Sequence, residues 1–250
     1  MSADGSFSVR FRTDAEAKVS GDARMKAVFA AMRRVVYLIW RQKVASAFNR
    51  ADPCTLFGVD LLITPGVLHP RHFASSRLMG RHLLSLDLKS RSVLDLGTGS
   101  GFLALLAARA GAQVLAIDIN PLAVSCAREN ARRNNLTGSM DVLASDVFDG
   151  LPPDRRFDMV VTNPPFYARE PRNLRDHAFA AGPEHGFFAR LAEGLSHRLE
   201  NNGRLLMVQS SDVELAPISS MFARKGLTGR VVRESKGIFE TLIIREFRTK

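Results

Sequence analysis

Cysteine is scarce in this chain, which has only Cys54 and Cys126 among its 250 residues. The two lie outside any Cys-x-x-Cys spacing, which argues against a disulfide framework and a cysteine zinc site. Long apolar runs are also lacking. The most hydrophobic early run, residues 35–40, has six residues between two arginines, whereas a membrane span needs about 20. Residues 1–12 contain no apolar signal segment. We therefore expect a cytoplasmic protein that does not associate with membranes.

Charge is unevenly distributed along the chain. The net charge is +10, and the first 50 residues contain ten Lys/Arg and four Asp/Glu. Such a bias favours polyanionic partners such as RNA, although no motif of interleaved aromatic and basic residues accompanies it. Residues 22–49 carry apolar side chains at spacings of three and four, which predicts an amphipathic helix. We expect residues 1–55 to form a basic helical extension and residues 56–250 to form one domain.

Segments of strand and helix character alternate over the rest of the chain. One or two short strands are predicted at 55–64. Strands of the main sheet are predicted at 92–96, 113–117, 140–144, 157–162, 204–209, 227–233 and 238–247, and helices at 71–86, 101–110, 121–133, 184–199 and 212–225. The last two strands are too close for a helix between them, so they must pair antiparallel. The alternation predicts an α/β fold, a doubly wound seven-stranded sheet. We expect it to be mostly parallel, with an antiparallel C-terminal hairpin and an antiparallel edge strand.

A glycine loop follows the strand at 92–96. Its candidate ligand-binding residues are Gly97, Thr98, Gly99 and Gly101. Glycines at a strand end let backbone amides approach a ligand closely. The dinucleotide fingerprint G-x-G-x-x-G needs a small residue where this chain has Phe102, and no P-loop lysine follows. We therefore expect a nucleoside cofactor other than NAD. Asp95, just before the loop, is expected to orient it or to reach the amino-acid end of the cofactor.

Carboxylates follow the next two strands. Asp118 ends the strand at 113–117 and is followed by Ile119, while Asp146 and Val147 come shortly after the strand at 140–144. Ligands of open α/β sheets bind at the carboxyl ends of the strands. There Asp118 can accept hydrogen bonds from ribose hydroxyls, and Asp146 can accept one from the exocyclic amine of an adenine.

A polar tetrapeptide, Asn163-Pro164-Pro165-Phe166, follows the strand at 157–162. A planar amide or ring nitrogen is a poor nucleophile because its lone pair is delocalised. The side-chain carbonyl of Asn163 and the main-chain carbonyl of Pro164 can each accept one N–H of such a nitrogen. The prolines make this clamp rigid, and Phe166 offers a face for stacking. With the glycine loop, the tetrapeptide predicts methyl transfer from S-adenosylmethionine to a planar nitrogen.

Taken together, these motifs resemble those of class I S-adenosylmethionine-dependent methyltransferases over about residues 60–247. The resemblance implies that the glycine loop, Asp95, Asp118 and Asp146 bind S-adenosylmethionine, with Asn163 next to it. The tetrapeptide is similar to the N-P-P-[YFW] motif of protein-glutamine methyltransferases of the HemK type and of DNA and RNA N-methyltransferases. Residues 118–121 and 128–136 also look like the HemK-related group. The acceptor implied is a glutamine in a protein such as a release factor.

One segment differs from the HemK type, whose members carry a Pro-rich segment with Glu and Thr before the first core strand. Here residues 66–73 contain no Glu. This difference and the basic charge leave an adenine or guanine in RNA or DNA as the alternative acceptor. A small-molecule acceptor and an inactive cofactor-binding module also stay open.

Several histidines and one Tyr-Arg pair have roles that the sequence leaves open. His69 and His72 have a spacing found in metal sites, but no further ligand is apparent, so we expect no metal. Tyr167 and Arg169 are candidates for the rim of the substrate pocket. The segment from 177 to 185, which has a histidine at each end, either covers the site or is a solvated loop.

Overall fold

The computed structural model describes residues 49–211, 213–237 and 240–249. A two-stranded antiparallel hairpin comes first, formed by β1 (Asp52–Leu56) and β2 (Val59–Ile63). The helix predicted over 22–49 lies, except for its last residue, outside the described part. The predicted boundary after residue 55 falls inside β1.

Seven further strands form the main sheet. They are β3 (Ser92–Leu96), β4 (Gln113–Asp118), β5 (Met140–Ala144), β6 (Phe157–Thr162), β7 (Leu199–Ser210), β8 (Leu227–Lys236) and β9 (Thr241–Thr249). Their spatial order is β5-β4-β3-β6-β7-β9-β8. The strands from β5 to β7 are parallel, and β9 pairs antiparallel with both β7 and β8.

The predicted doubly wound, mostly parallel sheet with a C-terminal hairpin is confirmed, but two details were wrong. The antiparallel strand β9 is not at the edge, because it pairs with β7 and leaves β8 outside. β7 begins at Leu199, five residues before the predicted start. Residues 201–203 lie within β7, where the register with β6 shifts.

Five helices are present in the described residues: α1 (Ala74–Leu83), α2 (Phe102–Arg109), α3 (Pro121–Arg133), α4 (Gly186–Arg198) and α5 (Leu215–Arg224). Short 3-10 turns cover Pro70–His72, Leu174–Ala178 and Pro183–His185. α1 is shorter than the predicted 71–86 because Phe73 is extended, with φ −110° and ψ 117°. Within the described ranges, no helix has the length and apolar character needed to cross a membrane.

Both faces of the central strands β3 and β6 are buried, and successive strand residues point to opposite faces. Val93 and Met159 belong to the apolar layer formed with α1, α2, α3 and the hairpin. Their neighbours Leu94 and Val160 belong to the layer formed with α4 and α5. Covering on both faces explains why these strands read as continuous apolar runs. It leaves the carboxyl ends of the strands as the place where a polar site can form.

Asn130 of α3 and Asn134, the residue directly after this helix, attach the hairpin to the sheet domain. Asn134 accepts from the Asp60 amide at 2.9 Å and donates to the Asp60 carbonyl at 2.7 Å. Asn130, which is fully buried, accepts from the Leu62 amide at 2.7 Å and donates to the Ser100 carbonyl at 2.9 Å. Since Ser100 belongs to the glycine loop, Asn130 links the hairpin to that loop.

Candidate functional site

A cavity of about 360 Å³ lies at the carboxyl ends of β3 to β6. β3 lies between β4 and β6 in the sheet, so the loops after these strands meet in one place. Most of the predicted site residues line this cavity: Gly97, Thr98, Gly99, Asp118, Ile119, Asp146, Val147, Asn163, Pro164 and Pro165. Three predicted residues, Asp95, Gly101 and Phe166, do not belong to its lining.

The loop needs glycine at its three positions for two different physical reasons. Gly97 and Gly99 have φ of +75° and +56°, and a Cβ on either would meet nothing within 4 Å. The backbone at Gly97 and Gly99 is therefore open to the cavity. Gly101 faces the protein instead, since its Cβ would lie 3.2 Å from the Cα of Ala127. Gly101 thus allows α2 and α3 to approach, whereas Gly97 and Gly99 leave room for a ligand.

Asp95 lies beneath the glycine loop and is 1 % exposed. Its Oδ2 accepts from Thr98 Oγ1 at 2.6 Å and from the Ala104 amide at 3.1 Å. Its Oδ1 is buried without a hydrogen-bond partner. Burial raises the pKa of Asp95 to about 7, against the opposing effect of these two hydrogen bonds. These contacts suit the first role predicted for Asp95, orienting the loop.

Asp118 is held at the cavity wall by backbone amides. Its Oδ2 accepts from the Gly99 amide at 2.8 Å, and its Oδ1 accepts from the Asn120 amide at 2.9 Å. Burial raises the pKa of Asp118, while these hydrogen bonds and the nearby His177 lower it. Each carboxylate oxygen has further acceptor capacity. Asp118 is therefore positioned to receive hydroxyl groups of a ligand in the cavity.

Asp146 is engaged by an arginine that the sequence did not single out. Arg190 of α4 donates to Asp146 Oδ2 at 2.7 Å and to Asp149 Oδ2 at 3.0 Å, and it lines the cavity. Val147, which follows Asp146, is buried. The ion pair occupies one acceptor site of Asp146, and its carboxylate can still accept from a ligand amine.

The tetrapeptide after β6 contributes Asn163, Pro164 and Pro165 to the cavity lining. Asn163 Nδ2 donates to Ser76 Oγ at 3.1 Å, and Ser76 also lines the cavity. The preceding Thr162 is buried and donates to the Leu96 carbonyl at 2.8 Å, which joins β6 to the end of β3. Phe166 is half-buried and lies outside the cavity lining, so its predicted stacking role stays a prediction.

The segment that follows the tetrapeptide folds back along the cavity. Tyr167 forms a β-bridge with Ala180, and Arg169 makes a two-pronged ion pair with Asp176, including a 2.7 Å contact. His177 lines the cavity, whereas Tyr167, Arg169 and His185 do not. Of the candidates proposed for this segment, only His177 thus faces the site.

We expect the Asp176→Asn substitution to loosen this segment and to lower the free energy of unfolding by about 2 kcal/mol. Breaking a buried ion pair costs about 3–5 kcal/mol, and here solvent screens Arg169, whose side chain is 29 % exposed. Urea unfolding and hydrogen exchange of residues 167–181 measure the effect. The control is Glu129→Gln, which removes ion pairs on the surface of α3 and should change neither measurement. Unaltered exchange in Asp176→Asn contradicts the prediction.

Residues before α1 also cover the cavity. Gly66, Val67, Leu68, Pro70 and Phe73 all contribute to its lining. The ring centroids of Phe73 and Phe179 are 6.3 Å apart. A Cβ on Gly66 would lie 3.3 Å from Arg175 Nε. The covering segments 66–73 and 167–187 therefore approach each other over the site.

Tertiary structure brings Asp52 next to the two histidines, with ligand atoms of Asp52, His69 and His72 within 4.8 Å of one another. The Arg71 amide donates to His69 Nδ1 at 3.1 Å. The neutral ring therefore carries its proton on Nε2, which lies 3.1 Å from Asp52 Oδ2 but outside hydrogen-bond geometry. A metal ion on Nε2 would have to displace that proton. Burial, with His72, lowers the pKa of His69. The arrangement suits a neutral histidine, and the expectation of no metal stays a prediction.

Several proteins with known names share sequence with this chain. The release factor glutamine methyltransferase of Rhodopirellula baltica is 31% identical over 209 residues, which are 76% of this chain and 66% of that protein. The putative protein N5-glutamine methyltransferase of Methanocaldococcus jannaschii is 31% identical over 160 residues, 62% of this chain and 77% of that protein. The chain thus spans just under two thirds of the length of the first relative.

This chain also resembles a solved structure in its fold and matches a family model in its sequence. The T. thermophilus 16S rRNA N2 G1207 methyltransferase, solved with AdoMet and guanosine, has a TM-score of 0.59 and 24% identity, covering 80% of this chain and 50% of that one. This likeness concerns the fold. The model of the "Methyltransferase small domain" matches residues 60–236, a range that includes the glycine loop, Asp118, Asp146 and the Asn163 tetrapeptide. The chain belongs to the methyltransferase small domain family.

Proposed function

We propose that this protein transfers the methyl group of S-adenosylmethionine to the side-chain nitrogen of a glutamine in a cytoplasmic protein such as a release factor. One observation carries the proposal. The bare glycines Gly97 and Gly99, the carboxylate of Asp118 and the clamp residues Asn163 and Pro164 line the same cavity. A nucleoside ligand held by the first three has its reactive end beside the clamp.

The residues of the cavity fit S-adenosylmethionine. No side chain lies within 4 Å of where a Cβ would stand on Gly97 or Gly99, so a ligand can lie directly on the loop. The carboxylates of Asp118 and Asp146 are acceptors for ribose hydroxyls and for the adenine amine, and they favour a cationic ligand. S-adenosylmethionine supplies an electrophilic methyl group on its sulfonium.

The clamp positions the nitrogen that attacks. Asn163 Oδ1 and the Pro164 carbonyl are two acceptors for the two N–H groups of a primary amide. When both bonds form, the nitrogen is fixed, and its lone pair can be turned toward the cavity. Pro164 is buried and has a fixed φ, so these acceptors are preorganised, and positioning in line with the methyl group is the main contribution of the protein.

The relatives favour a glutamine over a nucleobase as acceptor. The proteins similar to this chain at 31–39% identity include several named release factor glutamine methyltransferases. The rRNA methyltransferase shares the fold at lower identity. The net charge of +10 is the observation that favours RNA as the second candidate acceptor.

Transfer of a labelled methyl group into cell extract tests the proposal. With the wild-type protein, we expect label in a fraction that protease digests and RNase leaves intact, and mass spectrometry should place it on a glutamine. The Asn163→Ala variant is the matched control and should transfer far less. Label in RNA would instead identify a nucleobase as the methyl acceptor. Absence of label in every fraction, despite bound S-adenosylmethionine, would contradict enzymatic activity.

A further inference from the structure

We infer that Ser76 is a positioning residue, which holds the side-chain amide of Asn163 with its oxygen available to the methyl acceptor. The inference rests on the proposed function, because it assigns a role within the same site. The contact that supports it is the hydrogen bond from Asn163 Nδ2 to Ser76 Oγ at 3.1 Å. Both residues line the cavity.

The orientation of this amide decides whether the clamp can work. An asparagine amide has a donor end and an acceptor end. Nδ2 is bound to Ser76, so Oδ1 is the end left for the acceptor nitrogen. In the reversed orientation the NH₂ group would face the N–H groups of the substrate, and two donors would oppose each other. In the structure the Ser76 hydroxyl accepts from Nδ2, so the amide already has the productive orientation before the substrate arrives.

The helix that carries Ser76 is itself firmly placed. Ser76 lies in the first turn of α1 (Ala74–Leu83). One turn further on, Gly80 packs against α2, because a Cβ on Gly80 would lie 3.1 Å from both Phe102 and Leu106. α2 in turn begins directly after the glycine loop. The distance between Ser76 and the glycine loop is therefore set by the packing of α1 on α2. The hydrogen bond from Asn163 to Ser76 connects Asn163 to these two helices.

The position of Ser76 also connects the clamp to the covering segment. Phe73, which precedes α1, lines the cavity and lies 6.3 Å from Phe179 in ring centroid distance. The N-terminal end of α1 thus contacts the clamp through Ser76 and lies beside the segment that follows the clamp. This placement is why the serine can act on Asn163 without being near it in sequence.

Steady-state kinetics of Ser76 variants test the inference, with a purified bacterial release factor as the acceptor. Ser76→Ala removes the hydroxyl, and we expect kcat to fall about tenfold, as for the loss of one net hydrogen bond. The affinity for S-adenosylhomocysteine, measured by calorimetry, should be unchanged. Ser76→Thr keeps a hydroxyl and should restore kcat. Ser75→Ala, in the same helix but outside the cavity lining, is the matched control and should behave as wild type.

A double-mutant comparison separates positioning from a general structural effect. In an Asn163→Ala background, Ser76→Ala should lower kcat no further, because the group that it orients is gone. An additive loss, an unchanged kcat in Ser76→Ala, or failure of Ser76→Thr to restore activity would overturn the inference.

A measurement that needs no activity keeps this test separate from the proposed function. The side-chain amide resonances of Asn163, assigned by their absence in Asn163→Ala, should shift in Ser76→Ala and stay near their wild-type positions in Ser76→Thr. Unshifted resonances in Ser76→Ala would overturn the inference. If the wild type methylates no release factor and these resonances still respond, the proposed acceptor is wrong while the role of Ser76 stands.

Discussion

Replacing Asn163 with alanine is expected to lower kcat about 10²–10³-fold, the usual effect of removing one preorganised polar group from a reacting centre. Asn163 is half-buried in the cavity wall at the end of β6. Its amide nitrogen is bound by Ser76, so its oxygen is free to accept from the substrate. Without that acceptor, Pro164 alone cannot fix a primary amide nitrogen in line with the methyl group.

The Asn163→Ala variant should retain cofactor binding while its kcat falls. Asn163→Ala leaves the glycine loop and Asp118 in place, so S-adenosylhomocysteine should still bind, as calorimetry can measure. Asn201→Ala is the control, since Asn201 is exposed and belongs to a separate cavity formed with Arg91, Arg204 and Arg248. Its kcat should match that of the wild type. If both variants are folded and have a similar kcat, Asn163 takes no part in methyl transfer.

The second large effect is a pH-dependent stability that arises from Asp95. Its pKa in the folded protein is raised to about 7 from 3.8, because the carboxyl is buried. A carboxyl with a raised pKa binds its proton more tightly in the folded state. Its contribution is therefore fully present below the unfolded pKa and is lost as pH rises through the folded one. The contribution of Asp95 to the free energy of unfolding therefore falls by roughly 4 kcal/mol between about pH 4 and pH 7.

Comparison of the wild type with Asp95→Asn isolates this contribution. Asparagine keeps an oxygen that can accept from Thr98 and Ala104, but it does not titrate. We expect the free energy of unfolding of the wild type, relative to the variant, to fall as pH rises from about 4 to 7 and to level off above that. Urea unfolding at a series of pH values measures the difference. A difference that is constant with pH would show that burial does not raise the pKa of Asp95.

Most of the main sheet was predictable because local patterns and global packing agree in it. The strands at 92–96 and 140–144 have the predicted bounds, since buried strands read as short apolar runs with clear ends. The edge position was mispredicted because strand order depends on which hairpin strand pairs with β7, and periodicity does not encode that choice. The helix predicted at 71–86 begins too early because residues 70–72 form a 3-10 turn and Phe73 is extended.

The predicted site residues converge because the carboxyl ends of parallel strands lie at one edge of the sheet. Asp118 and Asn163 are 45 positions apart in the sequence, yet both line one cavity. Ser76 and Arg190 were missed because they lie on helices without any motif. Only their packing brings them to Asn163 and Asp146. Phe166 was predicted from its motif, and its half-buried position outside the lining could not be anticipated from the order of residues.

The sequence by itself determined the alternating α/β fold, the glycine loop and the place of the Asn163 tetrapeptide after β6. Each of these depends on residues that are close in the chain and on the rule that parallel strands present their ends together. Only the tertiary structure decided which way the Asn163 amide is held, which arginine meets Asp146, and that Asp95 is buried with one oxygen unpaired. Such contacts join elements far apart in the chain, and their geometry follows from helix packing, which a linear pattern does not contain.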